Sequence, residues 1–288
     1  MKLRGQNWRG RTVMITGASS GIGAGFAEAL AARGADLVLV ARSADVLENT
    51  AQRLRAAHGV RVEVVVQDLT APGAVAAVRA ATDQRGLTVD GLINNAGFAS
   101  AGRFHEVPAD RVNTEVALDV AALVDLTTAY LPGMVERRRG AILNVASIAA
   151  YQPTPYMAVY GAAKAFVLSF SQALWQENRR AGVRVTAVCP GPVDTGFFGV
   201  VGTSEARVGR PRSAGYVVER ALRAVERNRP VVTPGPENAW VPLVSRLLPR
   251  RLVASVTARS LRGAADAPSA ARVPTAGART AGFPVTDH

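Results

Sequence analysis

Short runs rich in valine, isoleucine and leucine alternate with helix-length amphipathic segments along residues 12–233. The apolar runs lie at 12–16, 36–41, 60–67, 91–94, 141–145, 183–188 and 230–233. Helical segments fall between them at 21–33, 43–57, 71–85, 107–138, 156–181 and 213–228. Most of the apolar runs lack strict alternation, which suits parallel strands buried on both faces. The expected fold is therefore α/β, a doubly wound parallel sheet with helices on both faces. Gly34, Gly59, Gly86 and Gly182 follow four of the helical segments, where glycine commonly stops a helix. No repeat or linker interrupts the rhythm, so residues 1–235 read as a single domain.

Beyond Pro236 the rhythm stops. Residues 236–262 read as a C-terminal helical extension, apolar but punctuated by Arg246, Arg250, Arg251, Arg259 and Arg262. Pro249 breaks any single long helix there, and the apolar positions crowd more than one face on each side of it. That pattern favours packing against protein near a site entrance, within a homodimer or homotetramer, over lying on a membrane. Residues 263–288 are rich in Ala, Pro, Thr and Gly and read as a disordered tail. The irregular stretch 197–212 has the length of a lid or binding loop.

Composition narrows the function classes. One cysteine, Cys189, excludes an intramolecular disulfide framework, and His58, His105 and His288 show no ligand spacing, so no metal is expected. Thirty-four basic against 22 acidic residues leave a net charge of +12, and the only lysines are Lys2 and Lys164. A basic chain can bind nucleic acid, but the arginines are spread along the sequence without a recognition motif. No nucleic acid partner is expected. Residues 1–14 are basic and polar without a secretory pattern, and the longest charge-free run, 140–163, contains Pro153, Pro155 and Asn144. The chain reads as cytoplasmic.

Three constellations carry chemistry. The first apolar run leads into TGASSGIG, Thr16 to Gly23, and at once into a helix. Glycines let the backbone approach a pyrophosphate, and a helix N-terminus offers unpaired N–H groups to its charge. Gly17, Ser19, Ser20, Gly21, Ile22 and Gly23 are the candidate cradle. The second run ends Val40-Ala41-Arg42-Ser43. An acid here would favour NAD; Ala41 followed by Arg42 suits the 2′-phosphate of NADP, with Ser43 beside it. Tyr160 and Lys164 stand four apart on a helical segment, hence on one face. An adjacent ammonium is expected to lower the tyrosine pKa, and Ser147, at the end of the preceding run, would reach the same carbonyl oxygen.

Taken in order, TGASSGIG, Asp68 after the third run, NNAG at 94–97, Ser147, YGAAK at 160–164 and PGPVDT at 190–195 resemble the short-chain dehydrogenase/reductase family. The resemblance covers about residues 10–235 and implies a Rossmann-type fold with NADP (NADPH) as cofactor. It implies that Tyr160 is the general acid or base, that Lys164 binds the nicotinamide ribose and tunes Tyr160, and that Ser147 polarises the substrate carbonyl. It further implies that Asp68, with Leu69, holds the adenine, and that Asn94, Ala96 and Gly97 line the adenosine ribose. Pro190, Gly191, Val193 and Thr195 would fix the carboxamide. One family position departs: the asparagine that normally completes the proton relay is Asp119, in Leu118-Asp119-Val120-Ala121. A buried carboxylate near Lys164 would raise the lysine pKa.

The implied activity is an NADP-dependent oxidoreductase moving a hydride between NADPH and a ketone or 3-oxoacyl carbonyl. Phe98, Phe197 and Phe198 suit an apolar substrate, whereas Arg103, Arg207, Arg210 and Arg212 would suit a thioester carrier. A non-catalytic NADP-binding regulatory protein is the alternative from another class; its mark would be loss of Tyr160 or Lys164, and both are present.

Overall fold

A computed structural model describes residues 8–197, 201 and 209–265. Seven strands form one parallel sheet: β1 (Thr12–Thr16), β2 (Asp36–Ala41), β3 (Val62–Val66), β4 (Val89–Asn94), β5 (Gly140–Val145) and β6 (Val183–Val188), completed after the short pair β7 (Val193–Asp194) and β8 (Arg212–Ser213) by β9 (Val231–Val232). Their order is β3-β2-β1-β4-β5-β6-β9, so the winding reverses between β1 and β4. The helices are α1 (Gly21–Ala31), α2 (Ala44–His58), α3 (Ala74–Gln84), α4 (Ala109–Val116), α5 (Ala122–Glu136), α6 (Ala158–Asn178) and α7 (Ala214–Glu226). The extension adds α8 (Val241–Leu247) and α9 (Arg250–Ser260). This is the doubly wound Rossmann-type architecture expected from the rhythm.

Strand geometry explains why both faces of the sheet are apolar. Successive side chains point to opposite faces. Val13, Ile15, Leu37 and Leu39 therefore pack with Phe26, Leu30, Leu47 and Leu222 of α1, α2 and α7. Met14, Val38 and Val40 pack on the other face with Val78, Leu126, Tyr130 and Met134 of α3 and α5. Phe26, Leu30, Leu39 and Leu126 are at most 1% exposed. Each such side chain contributes about 1.5–3 kcal/mol of burial.

Three boundaries differ from the sequence reading, each for a local reason. The helix expected from residue 71 begins at Ala74, because Gly73 precedes it in the left-handed region (φ 73°) and Asp68 holds the Thr70 N–H in a turn at 2.9 Å. The single helix expected over 107–138 is interrupted by a π-helical turn, Ala117–Ala121. The extension continues through a 3-10 turn, Arg262–Ala265, so residues 263–265 are ordered rather than tail. The remainder of that tail, 266–288, lies outside the described residues, as do 198–200 and 202–208 of the irregular stretch.

Candidate active site

Parallel strands deliver every following loop to the same edge of the sheet, and the crevice opens where the winding reverses. Along that edge runs a single cavity of about 1560 Å³. Gly17, Ser19, Ser20, Gly21 and Ile22 line it after β1, Arg42 and Ser43 after β2, and Asp68 and Leu69 after β3. Ala96 and Gly97 follow β4, Ser147 follows β5, and Pro190, Gly191, Val193 and Thr195 follow β6. Tyr160 and Lys164 reach the same space from α6.

Three predicted residues, Asn94, Gly23 and Asp119, do not line the cavity. Asn94 is buried beneath it, donating to Asn144 Oδ1 at 2.9 Å and to Thr127 Oγ1 at 3.3 Å, so its side chain ties β4 to β5 and α5 rather than lining a ribose site. Its neighbour Asn95 lines the cavity instead and donates to the Thr16 carbonyl at 2.9 Å. The second asparagine of the NNAG motif was the available signal. Gly23 also sits behind the loop: a Cβ there would stand 2.2 Å from the Gly17 carbonyl oxygen. Only glycine allows α1 to start this close to the turn, which is the close packing a phosphate-facing helix N-terminus needs.

Lys164, Asp119 and Tyr160 form the centre of the site. Lys164 is 6% exposed and Asp119 1%, and Lys164 Nζ lies 2.8 Å from Asp119 Oδ2. Lys164 also donates to the Val145 carbonyl at 3.3 Å. Asp119 Oδ1 accepts the Phe98 N–H at 3.0 Å. Gly97 makes that carboxylate position available, since a Cβ there would meet Asp119 Oδ1 at 2.8 Å. The π turn supplies the rest: widening the helix at Ala117–Ala121 swings Asp119 inward under α6, and such bulges recur at functional sites. Burial alone would depress the Lys164 ammonium, but Asp119 and then Tyr160 hold its pKa above the ordinary lysine value.

The phenol behaves differently from the sequence expectation. Burial raises the Tyr160 pKa above its ordinary value, although the Lys164 ammonium and the Ser147 hydroxyl pull it down. Asp119 and Glu115 add to the rise by disfavouring further negative charge nearby. The lysine therefore acts in the expected direction and is outweighed. Lys164 Nζ stands 5.5 Å from the Tyr160 ring centroid, and Phe197 covers the ring from 5.8 Å. Ser147 Oγ accepts the Ala149 N–H at 3.2 Å, which orients the hydroxyl.

Electrostatics at the two ends of the cavity differ. At the adenosine end Arg42 is exposed and makes no ion pair among the described residues, and Ala41 leaves no carboxylate there. One Asp68 oxygen is occupied by Thr70, through its N–H at 2.9 Å and its hydroxyl at 2.7 Å. The far end mixes apolar side chains, Phe98, Met157, Phe197, Val241, Val256 and Leu261, with polar ones, among them Gln152, Glu237 and Arg111, whose guanidinium lies over the Phe98 ring at 5.1 Å. Of the arginines considered for a thioester carrier, Arg210 lines the cavity. Arg212 does not serve that end, because its guanidinium is clamped on Glu237 at 2.8 and 2.7 Å. Arg103 is exposed away from the lining, while Arg207 and Phe198 lie outside the described residues.

Comparison with known proteins places this arrangement. The family model for short chain dehydrogenases matches residues 11–206. The chain is 33% identical over 208 residues to the very-long-chain 3-oxoacyl-CoA reductase of Bos taurus, a match spanning 71% of this chain and 64% of the bovine protein. Among solved structures, a short-chain dehydrogenase from Sphingobium yanoikuyae in complex with NADPH is 36% identical, with a TM-score of 0.74 over 93% of this chain and 99% of that one. The bulky-bulky ketone specific alcohol dehydrogenase from Comamonas testosteroni is 30% identical, with a TM-score of 0.70 over 94% and 99%. With the glycine cradle, the buried Lys164 and the all-parallel sheet already in place, these matches mean that the chain belongs to the short-chain dehydrogenase/reductase family of nicotinamide-dependent oxidoreductases.

Proposed function

We propose that this enzyme is an NADPH-dependent reductase of bulky, apolar ketones, able to run in reverse on the corresponding secondary alcohols. The observation that carries the reading is the continuity of one cavity, from Arg42 and the glycine cradle, past Tyr160, Lys164 and Ser147, to a mouth where Val241, Val256 and Leu261 supply apolar surface among polar side chains. The relatives that carry NADPH or act on bulky ketones support it.

The residues fit the cofactor. Gly23 allows the tight turn that opens α1 toward a pyrophosphate, and Arg42 offers an uncommitted guanidinium to a 2′-phosphate. When bound, the nicotinamide supplies the hydride. Everything else falls to the chain. Ser147 donates its hydroxyl proton in a hydrogen bond to the substrate oxygen while its Oγ is held by the Ala149 N–H. Tyr160, kept as a neutral phenol by burial, gives its proton to the developing alkoxide. Lys164 stabilises the phenolate left behind, and Asp119 keeps Lys164 charged and in place. Phe197 and Phe98 exclude water from that transfer.

A 3-oxoacyl thioester is the second reading, favoured by Arg210 at the cavity and by the bovine relative. Oxidation of NADPH against a panel of bulky ketones, diketones and 3-oxoacyl thioesters, with NADH in parallel, decides among these. Turnover with bulky ketones and a preference for NADPH are expected. Equal use of NADH overturns the cofactor assignment, and no turnover with any carbonyl overturns the reading.

A further inference from the structure

Exposed large apolar side chains are not spread evenly over this molecule. Of the twelve that stand out among the described residues, seven fall between Trp240 and Val256, so one short segment carries most of the surface grease. Trp240 is 66% exposed and Leu247 72%, with Leu243, Val244 and Leu248 beside them and Leu252 and Val256 on α9. This is not an unfolded tail. The extension is anchored by the stripe Val253, Thr257, Leu261 and Ala264, all buried, and Ser245 Oγ approaches Gln152 Oε1 at 3.5 Å. The anchored side leaves Leu252, Val256 and Arg259 on an adjoining stripe facing out.

Its charge is one-sided. Residues 239–265 contain Arg246, Arg250, Arg251, Arg259 and Arg262 and no acidic residue. None of the five arginines forms an ion pair among the described residues, whereas Arg212, just before α7, is clamped by Glu237. A symmetric contact with a second copy would bring ten guanidinium groups together, and the one carboxylate of each extension, Glu237, is already committed to Arg212. An anionic partner faces no such repulsion. Residues 266–288 bring two more arginines, two aspartates and only Val273, Phe283 and Val285 as large apolar groups, too few to cover the patch. Finally, Val256 belongs both to the exposed apolar face and to the lining of the cavity, so whatever covers that face also covers the mouth.

We propose that the α8–α9 face docks on an anionic lipid bilayer, with Trp240, Leu243 and Leu247 in the acyl boundary and the arginines on headgroups, so that apolar substrate enters the cavity from the membrane. Docking rests on the surface alone; substrate delivery rests also on the ketone reductase reading above. Arginines near an anionic surface and apolar side chains below it add to each other in this geometry.

The test uses the full chain and sedimentation with vesicles of phosphatidylcholine, with or without about one third phosphatidylglycerol. Binding at least about tenfold tighter to the anionic vesicles, and weakened in about 0.5 M salt, is expected. Leu247→Ser and the double variant Arg250→Glu, Arg251→Glu touch neither cavity nor fold anchor. Both should lose vesicle binding by about tenfold while keeping wild-type kcat/KM for a small water-soluble ketone. With a lipid-soluble ketone presented in anionic vesicles, their rate should fall by a similar factor. Equal binding to neutral and anionic vesicles, or none, overturns docking. So does a wild-type dimer that Leu247→Ser converts to monomer, which would make the face a self-interface. Vesicle binding is measured without substrate, so absence of any carbonyl turnover would overturn the reductase reading and leave docking to be decided by sedimentation.

Discussion

At the residue scale the site depends on Tyr160, Lys164 and Asp119, whose pKa values are shifted first by burial and then by neighbouring charges. In the proposed reaction Tyr160 gives up its proton as a phenol, and burial raises its pKa above the ordinary tyrosine value. Tyr160→Phe should lower kcat by about 10²–10⁴-fold with NADPH binding retained, as read by fluorescence titration; near-normal turnover would contradict the assignment. Asp119 raises both Lys164 and Tyr160, so its neutralisation acts in a known direction. In Asp119→Asn the alkaline limb of the reduction profile should move to lower pH, because the phenol loses a neighbouring carboxylate that disfavoured its ionisation. An unmoved limb would remove Asp119 from the proton relay. Arg42 is tested by affinity alone: Arg42→Ala should weaken NADPH by about 1.5–3 kcal/mol and NADH by far less. Tyr160 and Lys164 were legible because four-residue spacing puts both on one helical face. The Lys164–Asp119 pair is 45 positions apart (164 minus 119) and its 2.8 Å contact is a property of packing, although Asp in an asparagine position was visible.

At the element scale, the seven strands of the main sheet and their loops followed from apolar runs and glycine turns, while the π turn and the buried side of α9 did not. The π turn at Ala117–Ala121 has no composition signal; Leu-Asp-Val-Ala would sit in an ordinary helix. Only the need to place Asp119 under α6, against Gly97 and Phe98, accounts for it. The extension was legible as helical and broken at Pro249, and α8 and α9 do meet there, with Pro249 preceding α9 in an extended conformation. Which side of α9 is buried was not legible, because apolar residues crowd two faces. Val253 marks the anchored side without touching the cavity. Val253→Asp buries an unpaired carboxylate under α9, an expensive arrangement that releases the helix. The expected result is a KM for bulky ketones raised by roughly fivefold or more, with unchanged NADPH affinity, since the mouth loses Val256 and Leu261 but the cradle stays intact. Unchanged KM with α9 undocked, read by proteolysis near Arg250, would remove the extension from the substrate site.

At the scale of the whole molecule, the site's buried carboxylates also tax stability. Glu115 is fully buried, accepts the Ser100 N–H at 3.0 Å, and burial lifts its pKa from 4.5 to about 7, with Asp119 adding to the rise against the hydrogen bonds from Ser100 and the attraction of Lys164. The folded protein therefore holds a proton there that the unfolded chain has released between those two values. Stability from this group is complete below pH 4.5 and is lost as pH rises through about 7. Relative to Glu115→Gln, wild type should lose roughly 3 kcal/mol of stability between about pH 4 and pH 8 in denaturant unfolding; parallel pH curves would show that Glu115 does not titrate differently in the folded and unfolded states. The sequence by itself determined the class of fold, the order of the loops and the residue types at the reacting centre, because periodicity, turn chemistry and local spacing are short-range properties. Only the tertiary structure decided that Asp119 contacts Lys164 at 2.8 Å, that the Tyr160 pKa is raised rather than lowered, that Asn94 is a tie and Asn95 the lining residue, and which side of α9 is buried. Those outcomes depend on burial and on contacts between distant segments, and desolvation exists only once the chain has packed.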